Sequence, residues 1–122
     1  MELSAVRLFV RDIAVAKAFY ANVLGLTVAS DGSKQGFCVF ESAGIRLVVE
    51  AVPSDAPPHD QGLVGRFAGV SFAVANIALE HQRLLSLGVT FTGDPEPQSW
   101  GGILATFKDP SGNELNIVQY AT

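Results

Sequence analysis

The chain has 122 residues, of which 48% are hydrophobic, and carries a net charge of −4 at pH 7 with a mean hydropathy of +0.31. This length is typical of one domain, and the negative charge argues against a nucleic-acid partner. No apolar run reaches the roughly 18 residues of a membrane span, and the N-terminus does not resemble a signal peptide. The single Cys38 cannot form an internal disulfide. We therefore expect a cytoplasmic protein whose thiol is buried and unreactive.

The first half of the chain predicts a β-α-β-β-β order. Val6, Leu8 and Val10 alternate with other residues, as in a half-buried strand. Asp12 then provides the N-cap of a helix that ends at Gly25. The apolar stripe of this helix consists of Ile13, Ala16, Phe19, Tyr20 and Val23. Three further strands are predicted at 26–28, 36–41 and 45–50.

The second half repeats this order. A strand that alternates through Val74 leads to an N-cap at Asn76 and a helix that ends at Gly88. The predicted stripe of this helix is Ile77, Leu84 and Leu85, and strands follow at 89–91, 102–108 and 114–120. The stretch 52–66 is rich in Pro, Asp and Gly, which predicts an exposed linker between a module at 1–51 and a module at 67–122. One such module can hardly bury its own strand face, so we expect the two to combine within a single domain, 1–122.

Several motifs, in this order and spacing, resemble the vicinal oxygen chelate (VOC) superfamily. They are the duplicated order of elements, the helix end at 19–25, the sequence Trp100-Gly101-Gly102 and the turn at 109–113. This superfamily contains glyoxalase I, extradiol dioxygenases, fosfomycin-resistance enzymes and bleomycin-resistance proteins. The resemblance covers nearly the whole chain and implies an α+β fold: two paired βαβββ modules with curled mixed sheets that enclose a cavity. It also implies a homodimer.

The metal-using members of the superfamily supply ligands from four positions, which the resemblance places at Ala5, Val48, Gly69 and Asn116. None of these is a histidine or a carboxylate, whereas a divalent cation requires several such donors. We therefore expect no metal and no cofactor. In this respect the chain is similar to the bleomycin-resistance branch, which binds a molecule in the same cavity without metal chemistry.

The alternation of side chains along the strands assigns residues to the cavity face. With Trp100, which we expect to be half exposed, the candidate ligand-binding residues are Arg7, Phe9, Arg46, Glu50, Ser71, Trp100, Glu114, Asn116 and Tyr120. Such a mixture of small, aromatic and charged residues is typical of a ligand pocket. The two arginines have two interpretations: a salt bridge to Glu50 or Glu114, or recognition of an anionic or carbonyl-bearing ligand.

The two histidines favour ordinary structural roles. His81 lies in the second helix between Glu80 and Gln82, so we expect a solvated residue on the polar face. His59 lies in the stretch 52–66 beside Asp60, where it could act in acid–base chemistry, although a solvated loop residue is favoured.

Three functions remain open. The first is a metal-free protein that binds a small molecule, such as an aromatic drug or natural product. The second is an enzyme that is glyoxalase- or dioxygenase-like, acting on a small carbonyl or aromatic compound. It would use either a metal held by Glu50, Glu114 and His59 or a carboxylate base with a raised pKa. The third is a dimeric module without a small-molecule role. The sequence leaves catalytic residues unassigned and favours the first function.

Overall fold

The computed structural model describes residues 1–121. These form two compact units, Met1–Arg66 with Pro110–Gly112, and Phe67–Asp109 with the chain from Asn113 onward. Each unit contains one open mixed sheet, so the predicted α+β class is confirmed. No helix among the described residues is long and apolar enough to cross a membrane.

The first unit contains four strands, two short α-helices and a 3₁₀ turn at Ser33–Gln35. The strands are β1 (Ala5–Val10), β2 (Thr27–Gly32), β3 (Phe37–Ser42) and β4 (Ile45–Ala51). The helices are α1 (Ile13–Ala18), which continues as a π-helical turn (Phe19–Val23), and α2 (Pro58–Gln61). The sheet order is β1-β4-β3-β2, with β1 parallel to β4 and the other pairs antiparallel.

The helix α1 forms where the sequence predicts it and covers one face of this sheet. The carboxylate of Asp12 accepts hydrogen bonds from the backbone N–H groups of Ala14 and Val15 at 3.0 and 3.1 Å, which satisfies donors that a helix start leaves free. Beneath the helix, Tyr20 and Phe40 are completely buried with ring centroids 5.8 Å apart. The alternate residues of β1 and β4, whose side chains point away from the helix, are therefore available for other contacts.

The second unit repeats this topology with one strand divided in two. Its elements are β5 (Phe67–Ala73), α3 (Ile77–Ser86), β6 (Thr90–Phe91), β7 (Glu96–Pro97), β8 (Ile103–Lys108) and β9 (Glu114–Gln119). β5 pairs in parallel with β9, and β9 is antiparallel to β8. β6 and β7 both pair with β8, because residues 92–95 interrupt what is one continuous strand in the first unit. The sequence does not predict β7.

The turn between β8 and β9 is held by two buried side chains, Asp109 and Asn113. The Asp109 carboxylate accepts hydrogen bonds from the backbone N–H of Asn113 at 2.9 Å and from its side-chain amide at 3.0 Å. Gly112 has a φ of 83°, which a residue with a Cβ adopts only with strain. The turn thereby sets the register in which Lys108 lies opposite Glu114.

The prediction for His81 is wrong. His81 is buried in the apolar face of α3, and its ring meets the ring of Phe91 edge-to-face at a centroid distance of 4.5 Å. Ile77, His81 and Leu84 are spaced by four and three residues, as one helix stripe requires, whereas Leu85 is 41% exposed. The spacing already indicated a core position, but a histidine between two polar residues led to the prediction of a surface position.

The stretch 52–66, which the sequence predicts as an exposed linker, contains a short helix and a buried valine. Pro58 begins α2 at the first helical position, where its missing N–H is not needed. Val52 is buried, and Val64 forms an isolated parallel bridge with Phe9. This stretch is therefore folded against the free edge of β1.

We predict that Asp31→Asn removes a pH-dependent contribution to stability. Hydrogen bonds from Lys17 Nζ, 2.6 Å away, and from the hydroxyl and N–H of Ser33 hold the pKa of Asp31 below its usual value of 3.8. Stability from the ionised carboxylate is therefore complete above that pH and is lost on further acidification. Urea unfolding should show that D31N is slightly less stable than wild type near neutral pH, and that the difference shrinks in acid.

The matched control is Asp94→Asn, which changes an exposed aspartate with no ion-pair partner in the described part of the chain. A difference between wild type and D31N that stays constant from neutral to strongly acidic pH would contradict the assignment.

Candidate functional site

The structure places five of the nine candidate residues in two groups that differ in kind. Arg7, Phe9 and Glu50 line a cavity in the first unit. Ser71 and Asn116 belong to a polar row across the sheet of the second unit. The other four lie outside these two groups.

The cavity has a volume of about 370 Å³, within the range of roughly 300–1,000 Å³ that is typical of small-molecule pockets. One wall is the end of the β1–β4 pair, where Phe9 lies opposite Glu50 in the parallel register. The other wall is the stretch that follows β4. The lining residues that the sequence did not indicate are Ala51, Val52, Pro53, Ala56, Asp60 and Leu63.

Arg7 and Glu50 form a two-point ion pair. Arg7 Nε donates to Glu50 Oε2 at 2.5 Å, and Nη2 donates to Oε1 at 3.0 Å. Hydrogen bonding to Glu50, and its negative charge, raise the pKa of Arg7, so the guanidinium stays charged. The guanidinium carbon lies 5.1 Å from the centroid of the Phe9 ring, a cation–π arrangement. Of the two interpretations of Arg7, the salt bridge to Glu50 is therefore present.

The loop that forms the second wall is organised by Gln61. Its Nε2 lies within hydrogen-bonding distance of the carbonyl oxygens of Pro53, Ser54 and Ala56, at 2.8, 3.2 and 3.2 Å. Its side-chain oxygen accepts a hydrogen bond from the Arg11 guanidinium, which also donates to the Gln61 backbone carbonyl at 3.3 Å. One side chain thus satisfies several loop carbonyls, which fixes the wall in place.

The polar row of the second unit runs across β5, β9 and β8. Asn116 is buried, and its side-chain oxygen accepts a hydrogen bond from the Thr106 hydroxyl at 2.7 Å. Its amide nitrogen lies 3.4 Å from the hydroxyl of Ser71, a long and weak contact. The register places these three residues directly opposite one another. Asn116 is thus satisfied within its own sheet.

The remaining candidates are Trp100, Tyr120, Arg46 and Glu114. Trp100 is 53% exposed, which confirms the half-exposed prediction, and its ring centroid lies 6.0 Å from that of Tyr120, which is 61% exposed. Tyr120 follows the last residue of β9, so it is not the strand residue that the sequence predicts. Arg46 is exposed near the start of β4, opposite Glu41, and Glu114 begins β9 half-buried. Their roles as ligand contacts stay predictions.

The four positions that the resemblance assigns to metal ligands do not fit a divalent cation. Ala5, Val48 and Gly69 have no donor atom in their side chains. Asn116 offers one amide oxygen, which already accepts the Thr106 hydroxyl. Among the residues that the structure describes, no three His, Cys, Asp or Glu side chains are grouped so that they could hold a metal ion. No catalytic step can therefore be assigned to a metal at these positions.

The thiol of Cys38 lies in the core of the first unit, as the sequence predicts. The residue is completely buried in β3, and this burial raises the pKa of the thiol. A thiol that stays protonated near neutral pH is a poor nucleophile.

The sequence does not predict the cavity wall at 52–63, because the composition of this stretch is typical of a loop. Two signals were present. Pro58 followed by Gly62 matches the preference for proline at a helix start and glycine near its end. The adjacent pair Leu63 and Val64 is apolar in an otherwise polar stretch. Together they could have indicated a small folded element that packs against the sheet.

The profile of the Glyoxalase/Bleomycin resistance protein/Dioxygenase superfamily matches residues 2–117, so the chain belongs to this superfamily. Among curated proteins, "Uncharacterized protein YurT" of Bacillus subtilis (strain 168) is 31% identical over 130 residues, which cover 98% of this chain and 99% of that protein.

Two solved structures share the fold and differ in what their names describe. TnmS3, an antibiotic binding protein from a Streptomyces species, has a TM-score of 0.77 at 24% identity, with 99% of this chain and 97% of that chain covered. Lactoylglutathione lyase from Agrobacterium tumefaciens has a TM-score of 0.77 at 19% identity, with 97% and 92% covered. The fold is thus compatible with binding and with catalysis, and the function must be argued from the site.

We predict that Gln61→Ala loosens the cavity wall. The substitution removes the side-chain donor near the carbonyls of Pro53, Ser54 and Ala56, of which Pro53 keeps its bond from the Ala56 N–H. The free energy of unfolding should therefore fall by about 0.5–1.5 kcal/mol. Amide hydrogen exchange in residues 53–61 should accelerate by more than the global change. Gln35→Ala, at an exposed position in the first unit, is the control and should leave both readouts near wild type. Unchanged exchange in 53–61 would contradict the role of Gln61.

Proposed function

We propose that the protein is a metal-free member of the glyoxalase/bleomycin-resistance superfamily that binds a small molecule, such as an aromatic drug or natural product. The observation that carries the proposal is the cavity of about 370 Å³ beside Phe9, in a unit where the corresponding ligand positions, Ala5 and Val48, carry no donor. A pocket with an aromatic wall and a few charged groups suits binding more directly than metal chemistry. The antibiotic-binding activity named for TnmS3 supports the proposal as a precedent on the same fold.

The geometry of Glu50 weighs against the enzyme alternative. A general base needs a lone pair that can reach the proton it removes. Both carboxylate oxygens of Glu50 accept hydrogen bonds from Arg7. Each oxygen keeps a second lone pair, but a proton taken up there would weaken the ion pair with Arg7. Binding of a ligand involves no such loss. Metal analysis of protein purified without chelator, and turnover assays with glutathione adducts, test this alternative directly: stoichiometric metal with turnover would overturn the proposal.

A cytoplasmic homodimer is part of this proposal. The dimer is supported by exposed apolar side chains, among them Ile45 and Phe67, which are 56% and 62% exposed in the single chain. Sedimentation equilibrium should give twice the chain mass of 12.9 kDa. A monomer at all concentrations would remove this part and leave the binding proposal intact.

We predict that Phe9→Ala weakens binding of the best ligand from a thermal-shift screen of aromatic antibiotics and glutathione adducts. Loss of the ring removes stacking area, so the Kd should rise about tenfold. Leu79→Ala, which changes an exposed apolar residue on α3, is the control and should bind like wild type. Calorimetric titration measures both. Equal affinities for wild type and F9A would show that the ligand binds elsewhere.

A further inference from the structure

The cavity of the first unit has an excess of negative charge. Its charged lining residues are Arg7, Glu50 and Asp60. The charge of Arg7 is matched by Glu50 through two hydrogen bonds. Asp60 is half-buried in the wall, and no Arg, Lys or His side chain pairs with its carboxylate in the part of the chain that the structure describes. The cavity therefore contains one carboxylate whose charge is not neutralised within the chain.

The cavity also contains a place that already holds a cation. The Arg7 guanidinium lies over the Phe9 ring at 5.1 Å while Glu50 binds it from the side. A ring face together with a carboxylate is the combination that recognises organic cations, because both present negative potential to the same group. To a molecule that enters from solvent, Asp60 offers a carboxylate, and the wall that contains Phe9 offers apolar surface.

We propose that the ligand of this cavity is a small organic cation, with an amine or amidine group directed to Asp60 and an apolar or aromatic part against Phe9. This inference rests on the proposed binding function and names its ligand class. An anionic ligand is disfavoured, because it would add a third negative charge or require Arg7 to leave Glu50. The chemistry of the cavity thus opposes the anionic ligand that Arg7 suggests in the sequence.

Three probes of one shape and different charge test the proposal: naphthylmethylammonium, naphthylmethanol and naphthoate. Binding to the full chain is followed by amide shifts in two-dimensional NMR spectra. At low ionic strength the ammonium probe should bind about threefold to tenfold more tightly than the alcohol, and naphthoate should bind most weakly. The advantage of the ammonium probe should shrink as salt is added, because the charges are partly exposed.

Variants assign the preference to particular side chains. Asp60→Asn should reduce the ammonium affinity to that of the alcohol, whereas Asp55→Asn, at an exposed position in the same loop, should retain the preference. Arg7→Ala leaves Glu50 unpaired, so it should raise the ammonium affinity; a site for anions would respond in the opposite direction. If D60N does not fold, the salt dependence of the wild type and the response of R7A still decide whether the cavity prefers a cation or an anion.

The outcomes separate the two proposals. Tighter binding of naphthoate, or an undiminished ammonium preference in D60N, would overturn the cation assignment while the cavity stays a binding site. No binding by any probe, with unchanged amide signals for Phe9 and Leu63, would instead count against the cavity and so against the proposed function.

Discussion

The parallel pairing of the first and last strands within each unit is the constraint on which the rest of the structure depends. In the first unit it sets β1 beside β4 with Phe9 opposite Glu50, although the two residues are far apart in the chain. Because alternate side chains of a strand point to opposite faces, this register also decides which residues lie under α1 and which are left for a ligand. The second unit repeats the pairing with β5 and β9, so Ser71 meets Asn116.

The same pairing explains how the fold persists where the residues at the four ligand positions do not fit a metal ion. The strand interiors that hold the sheets together are apolar residues such as Val10 and Val49, both completely buried. Of the positions assigned to metal ligands, Ala5 and Val48 lie on the other parity of these two strands and are only partly buried. Their side chains can therefore be replaced by Ala5 or Val48 without loss of the sheet. Stability and chemistry in this fold depend on opposite faces of the same strands.

The site itself depends on a contact between regular and irregular structure. The sheet supplies Phe9 and the Arg7–Glu50 pair, whereas the loop supplies Asp60 and the remaining wall. Gln61 holds that loop by bonding to its carbonyl groups, a task that sheet hydrogen bonds perform elsewhere. Backbone contacts tie the two ends of this loop to β1 as well: Val52 donates to the Val10 carbonyl at 2.9 Å, and Val64 pairs with Phe9. The strands thus provide the fixed part of the cavity.

The sequence by itself determined the repeated order of elements apart from α2 and β7, and the α+β class. It also determined the N-caps at Asp12 and Asn76 and the helix ends at Gly25 and Gly88, because these features depend on neighbours within a few residues. With the family resemblance, the sequence also placed residues that are neither histidines nor carboxylates at the four ligand positions of the metal-using members: Ala5, Val48, Gly69 and Asn116.

Only the tertiary structure decided that Arg7 pairs with Glu50 rather than Glu114, that His81 belongs to a core, and that Asp60 lines a cavity. Each of these depends on which surface a side chain packs against. Strand register and the path of a loop decide those contacts, and neither has a local signature in the chain.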